Sequence, residues 1–248
     1  MIASEWLTET GLVILGIVTG FVGTNTGGSV FLTVPVMIGL GIAPQSAVAT
    51  ARLASLGTML AGLRHFHKHG KIDYAAAFPA AALGLLGALA GASLLIEIDP
   101  LLLHKIIGAL TLLLVALSFI KKPLAGESRP SWIRRLAGYL LFIPVGAIGG
   151  LFGGQAKLST YIYIIFFRKT ISESIGTRKV GGLVLSIGSL ILFGLNGIVN
   201  WQYGGYLLVG TVLGANAGAQ FALSKGDECM EWVFHIVVIG LALKLLFG

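Results

Sequence analysis

"GFVGTNTGGSVF" occupies residues 20–31, and its polar and glycine residues interrupt a run otherwise as apolar as a membrane-spanning helix. Gly20, Gly23, Thr24, Asn25, Thr26, Gly27, Gly28 and Ser29 crowd into ten positions. In hydrocarbon every backbone amide needs a partner, so irregular chain survives there only inside protein or beside a wet cavity. The stretch therefore predicts a helix broken at membrane depth.

Composition supports a membrane setting. Of the 248 residues, 56% are hydrophobic and 11% charged, with a mean hydropathy of +0.92. That balance excludes an ordinary water-facing surface and predicts an integral membrane protein. Glycine, at 36 residues, is about twice its usual ~7%, which suits close helix packing. The first basic residue is Arg52, so the basic start of a secretory signal is missing and the first apolar span is expected to stay in the mature chain. The single cysteine, Cys229, excludes an internal disulfide and a cysteine-built metal cage. The net charge of +7 sits in short segments between apolar runs, as positive-inside topology requires. No soluble part remains for nucleic acid.

A helix needs about 20 apolar residues to cross ~30 Å of hydrocarbon. Six segments qualify, at about 46–63, 75–96, 101–120, 180–196, 203–223 and 231–247. Two more, about 11–42 and 137–167, are too long for one ordinary span and have glycines near their centres. Each reads as a tilted helix or as two half-helices folded back. The basic "RHFHKHGK" (64–71) and "KKPLAGESRPSWIRR" (121–135) are expected in the cytoplasm, and the acidic "EIDP" (97–100) outside. "RKTISESIGTRK" (168–179) is basic too. A returning hairpin at 137–167 keeps it on the cytoplasmic side.

The chain repeats itself. "GKIDYAAAFPAAALGLLGALAGASL" from Gly70 aligns with "GIVNWQYGGYLLVGTVLGANAGAQF" from Gly197, an offset of 127 that also pairs Thr50 with Thr177 and Arg52 with Lys179. An offset of 130 pairs "GFVGTNTGGS" with "GLFGGQAKLS" (150–159). The expected organisation is a first membrane repeat at 1–122, a cytoplasmic linker at 123–135 and a second repeat at 136–248. One hairpin plus three crossings per half is an odd number, which inverts the second copy. The fold predicted is an all-α membrane protein of two inverted repeats, each a broken, re-entrant helix pair plus three transmembrane helices. Secondary transporters of this design bind substrate at the midplane, where discontinuous helices meet.

A half-helix starting near Ser29 would turn its free amides and positive dipole end toward the break. Thr24, Asn25, Thr26, Gly27, Gly28 and Ser29 are the candidate anion ligands of the first copy, and Gly153, Gly154, Gln155, Lys157 and Ser159 those of the second. Arg52 lies about eight residues into its span. A charge at that depth costs at least ~2.5 kcal/mol and calls for a partner or a cavity. Lys179 is its repeat counterpart and joins the candidates; Arg178 and Lys179 read equally well as side chains snorkelling from a helix start. All ten acidic residues lie outside the spans or at their ends, so no mid-membrane carboxylate is available for a driving ion. Nothing points to a catalytic residue, a metal or a cofactor. His65, His67 and His69 recur every second residue and would splay around a helix, which favours a basic interfacial segment. Asn216, in a glycine groove, could be interhelical glue or a pathway residue.

"GTNTGGSVFLTVP", "SAVATARLAS", "GKIDY" and "LGALAGA", in this order and weakly repeated in the second half, resemble the TauE/SafE sulfite-exporter family of membrane permeases. The resemblance covers nearly the whole chain. It implies a secondary transporter or facilitator moving sulfite, sulfonates and related anions outward, and it implicates Gly27, Gly28 and Pro35 in one half and Gly153 and Gly154 in the other. The family's run of consecutive glycines is interrupted here, and no proline matches Pro35 in the second half. The expected partners are a small anionic substrate and the lipid bilayer, with a homodimer left open. The alternative is a membrane assembly or scaffold protein that moves nothing.

Overall fold

In the computed structural model, which describes residues 2–27, 29–118 and 130–225, the chain is helical throughout. The described helices are α1 (Ile2–Thr26), α2 (Ser29–Gly39), α3 (Pro44–Lys68), α4 (Tyr74–Glu97), α5 (Pro100–Ser118), α6 (Trp132–Leu140), α7 (Phe142–Phe152), α8 (Ala156–Phe167), α9 (Ile171–Leu195) and α10 (Trp201–Lys225). Among the described residues, four stretches, Pro44–Lys68, Tyr74–Glu97, Trp132–Phe152 and Ile171–Leu195, are long and apolar enough to cross a membrane. The expected span at 231–247, like Cys229, lies outside the described residues.

Local chemistry sets the helix starts. Pro44 opens α3, where a missing amide costs nothing. Asp73 caps α4 by accepting from the Ala76 N–H at 3.0 Å, and Asn200 caps α10 by accepting from the Tyr203 N–H at 3.0 Å. Thr170 and Glu173 form a reciprocal capping box that starts α9 at Ile171. This start lies well before the span expected at 180–196, and most of "RKTISESIGTRK" is helix rather than loop. The histidine segment is helical too: His65 and His67 lie in the last turn of α3, and His69 caps it.

Both long segments fold back. α1 ends at Gly27 (φ +73°), and α7 ends at Gly153 (φ +98°) and Gly154 (φ +76°), left-handed backbone that glycine adopts without strain. At one end of the bundle Glu9 of α1 accepts from Gln202, while Gln45, in the first turn of α3, donates to the Ile98 carbonyl. The outer end of α1 therefore stands at the start of α10 and the α2–α3 connection beside the 97–100 turn, and that connection lines one cleft with Pro100 and residues 197–201. The second hairpin has its feet at the other end. There Gly138 packs on Phe166 and Phe167, and Lys169 pairs with Asp73 at 2.7 Å.

The halves touch reciprocally. The Asp73 N–H donates to Thr177 Oγ1 at 3.1 Å, and the Asn200 N–H donates to Thr50 Oγ1 at 3.0 Å, the same contact with the halves exchanged. α1 packs on α10 as α7 packs on α4, and α3 meets α9 between them. At the breaks, Gly27 N–H bonds the Gly23 carbonyl and Gly153 N–H bonds the Gly149 carbonyl. The breaks thus correspond at an offset of 126, one helical turn away from the 130 suggested by matching "GFVGTNTGGS" to "GLFGGQAKLS".

Glycine makes these packings possible. A Cβ on Gly87 or Gly91 would collide with the Ile143 or Ala147 carbonyl of α7, and one on Gly214 or Gly218 with the Ile17 or Phe21 carbonyl of α1. Asn216 belongs to neither reading offered by the sequence: it is exposed on α10 and donates to the Val212 carbonyl one turn back. The polarity of the bundle is that of a membrane protein, with Phe78, Leu86, Ile191 and Leu213 outside and Thr50, Arg52, Thr177, Lys179 and Thr211 buried.

Asp73 makes a pH prediction. Partial burial acts to raise its carboxyl, but the hydrogen bond from Lys169 and the Ala76 and Ala75 amides outweigh it and hold the group below the usual carboxylate value. A carboxylate lowered on folding stabilises fully above its unfolded pKa, about 3.9, and loses that contribution as pH falls through the lower folded value. Thermal melts in detergent between neutral pH and about pH 3 should show an acid-side loss that is smaller in Asp73→Asn. An identical acid profile in the variant would remove Asp73 from the account.

Candidate substrate site

α3 and α9 place cations at matching depth: Arg52 is the ninth residue of α3 and Lys179 the ninth of α9. Lys179 is fully buried and donates to the Thr24 carbonyl in the last turn of α1 at 2.8 Å, with longer contacts to Thr24 Oγ1 and the Thr58 carbonyl, both 3.4 Å. A helix C-terminus leaves its last carbonyls unsatisfied and is negative, so an ammonium is suited to that position. Gly62 is small because the Lys179 stem runs across it. Arg52 is 2% exposed, and its Nε and Nη2 have no hydrogen-bond partner. Neither residue snorkels.

The two breaks meet. A Cβ built on Gly27 would collide with Ala156, the first residue of α8, and would lie 3.0 and 3.2 Å from Nη1 and Nη2 of Arg178. From the other side, Gly153 faces Val30 and Gly154 faces the Phe31 ring, both in the first turn of α2. The Phe31 and Phe152 rings pack with centroids 5.7 Å apart, closing the seam. The guanidinium of Arg178 therefore lies where the α1–α2 break touches the start of α8.

A narrow cavity adjoins this point, leaving ≈ 30 Å³ for the centre of a water-sized molecule. Arg178, Gln155 and Ser159 supply polar groups, and Met59, Val145 and Leu185 part of its apolar wall. Guanidinium, amide and hydroxyl can all donate to an oxyanion, the first with charge.

The candidate residues distribute as follows. Thr24, Gly27, Arg178 and Lys179 gather at the first break, and Gln155 and Ser159 line the cavity. Gly153 and Gly154 form the second break, and Ser29 is buried at the start of α2 against Gly23. Lys157 is half-buried in the first turn of α8 and is not among the cavity-lining residues. Gly28 and the side chains of Asn25 and Thr26 lie outside what the structure describes. Arg178 was absent from the sequence-derived set. Thr170-x-x-Glu173 was the available signal, since a capping box there puts Arg178 two turns inside a helix rather than at its start.

A bundle with an apolar exterior, two returning half-helices and cations buried at their junction defines a multi-pass membrane transporter. Residues 12–245 match the sulfite exporter TauE/SafE family, and the chain belongs to it. It is 27% identical over 241 residues to the probable membrane transporter protein YfcA of Escherichia coli, covering 95% of this chain and 88% of that one. A probable membrane transporter protein of Haemophilus influenzae is 25% identical over 236 residues, covering 94% of this chain and 92% of its own. YdhB of Bacillus subtilis, also a probable membrane transporter protein, is 26% identical over 213 residues, or 84% and 86% of the two chains. No solved structure matches the chain.

Proposed function

We propose that this transporter exports small sulfur oxyanions, sulfite or a short sulfonate, by alternating access, with the anion held where the two breaks meet. The observation that carries the reading is the Arg178 guanidinium against Gly27, facing a cavity that Gln155 and Ser159 also line. Arg178 is the principal anion partner, Gln155 and Ser159 orient the oxygens, and the glycines let backbone approach. Residues 1–122 and 136–248 act as inverted repeats across the linker at 123–135. Their reciprocal Thr50–Asn200 and Thr177–Asp73 contacts support a two-fold relation. The narrow cavity fits a closed state that must widen before anything larger than water enters. Export runs downhill without a coupled ion, since an inside-negative potential contributes ~2.3 kcal/mol per charge per 100 mV.

Purified protein should be stabilised thermally by sulfite or a short sulfonate such as sulfoacetate more than by sulfate, thiosulfate or phosphate. A ligand at one hundred times its Kd adds about 2.7 kcal/mol, several degrees in Tm. Proteoliposomes should show saturable, voltage-dependent efflux of the same anion. No stabilisation by any of the five, together with no flux above empty liposomes, would exclude the reading.

A further inference from the structure

Arg52 and Lys179 occupy corresponding places in the two halves but are in different states. Lys179 is engaged: its ammonium holds the Thr24 carbonyl at the end of α1 and reaches the Thr58 carbonyl of α3. Arg52 is equally buried, yet Nε and Nη2 have no partner. The halves differ in the same sense nearby. The cavity lies against Arg178, Gly181, Gly182 and Leu185 of α9. The corresponding residues of α3, at the offset of 127, are Ala51, Ala54, Ser55 and Thr58, and all are buried. Thr211 fills that side, donating to the Ala54 carbonyl at 2.8 Å and abutting Gly20 and Gly57.

A buried guanidinium with unmet donors is costly, so a conformation that satisfies it is favoured by that amount. The matching acceptors exist. Thr24 corresponds to Gly150 at the break offset of 126, and the carbonyls of Gly150 to Phe152, like those of any helix end, have no amide one turn on within α7. We infer that Arg52 and Lys179 are alternating latches: Lys179 holds the end of α1 in the conformation seen here, and Arg52 takes the end of α7 in the opposite-facing one as Lys179 lets go. The inference rests on the alternating-access reading and gives it a residue-level switch.

Accessibility tests it without substrate. In a Cys229→Ser background, Met59→Cys reports the side on which the cavity lies, and Ser186→Cys, its repeat counterpart and buried here, reports the side packed shut. Each is labelled with a small thiol reagent in detergent. Losing a charge-assisted hydrogen bond shifts such an equilibrium by about tenfold. Lys179→Met should therefore slow labelling at Met59→Cys and speed it at Ser186→Cys, each by up to about tenfold. Arg52→Met removes no hydrogen bond of Nε or Nη2 present here, so it should fold and shift both reporters the other way, and Arg52→Lys should restore part of the balance. Shifts of the same sign in both variants, or unchanged labelling in Arg52→Met, would overturn the latches. Opposite shifts in a protein that moves no anion would keep the latches and reject the transport reading.

Discussion

Arg178→Ala should lower anion efflux from proteoliposomes by about 10- to 100-fold. The guanidinium lies at the first break and lines the cavity, so its removal takes away charge-assisted hydrogen bonds worth about 1.5–3 kcal/mol each. Arg178→Lys keeps the charge but not the planar fork and should fall between the two. Gln155→Ala and Ser159→Ala lose neutral donors and should cost less, about 1 kcal/mol or several-fold. Because Arg178 also packs against the break, melting temperatures of the same preparations must accompany the flux. Wild-type efflux in a folded Arg178→Ala protein would move the substrate site elsewhere in the bundle.

The largest structural effect is expected from one added methyl. In Gly87→Ala or Gly214→Ala the new carbon would occupy the place of the Ile143 or Ile17 carbonyl on the neighbouring helix. Neither atom belongs to a side chain that can turn aside, so the helices must separate along their length. Overpacking of this kind costs typically 1–3 kcal/mol and sometimes more, and a valine should exceed the alanine. Gly11→Ala is the control, because nothing lies within 4 Å of its Cβ position. Thermal melts in detergent that place Gly87→Ala beside Gly11→Ala would refute the close-packed seam.

Much of this architecture is legible in the amino-acid order alone. Glycine, threonine and asparagine inside apolar runs mark the breaks at 23–28 and 153–155, because few other settings accept them. The repeat pairs Thr50 with Thr177 and Asp73 with Asn200, and these residues do make equivalent contacts. What stayed hidden was the beginning of α9. Charge counting assigned 168–179 to a cytoplasmic loop, yet Arg168 and Lys169 lie at the helix entry while Arg178 and Lys179 are buried within it. Hydropathy averaging cannot separate an exposed basic turn from a polar helical third that tertiary packing encloses. The break offset failed for a related reason: "GFVG" and "GLFGG" look alike one turn out of phase, and only backbone dihedrals tell the turns apart. The asymmetry between Arg52 and Lys179 has no signature in one dimension, since both are basic residues at equal depth.

The exchange of contacts between halves also bears on how the protein is made. α1 finds its groove on α10, and Gly16 and Gly20 pack on Leu207 and Thr211. Those residues are synthesised nearly two hundred positions later. While the ribosome completes the chain, the first hairpin must wait in the membrane with its small-residue face uncovered and its polar turn unsealed by α8. Insertion machinery or lipid has to shelter it during that interval. The same interlock means that neither half of the bundle is a finished unit: α1 is completed by α10, and α7 by α4.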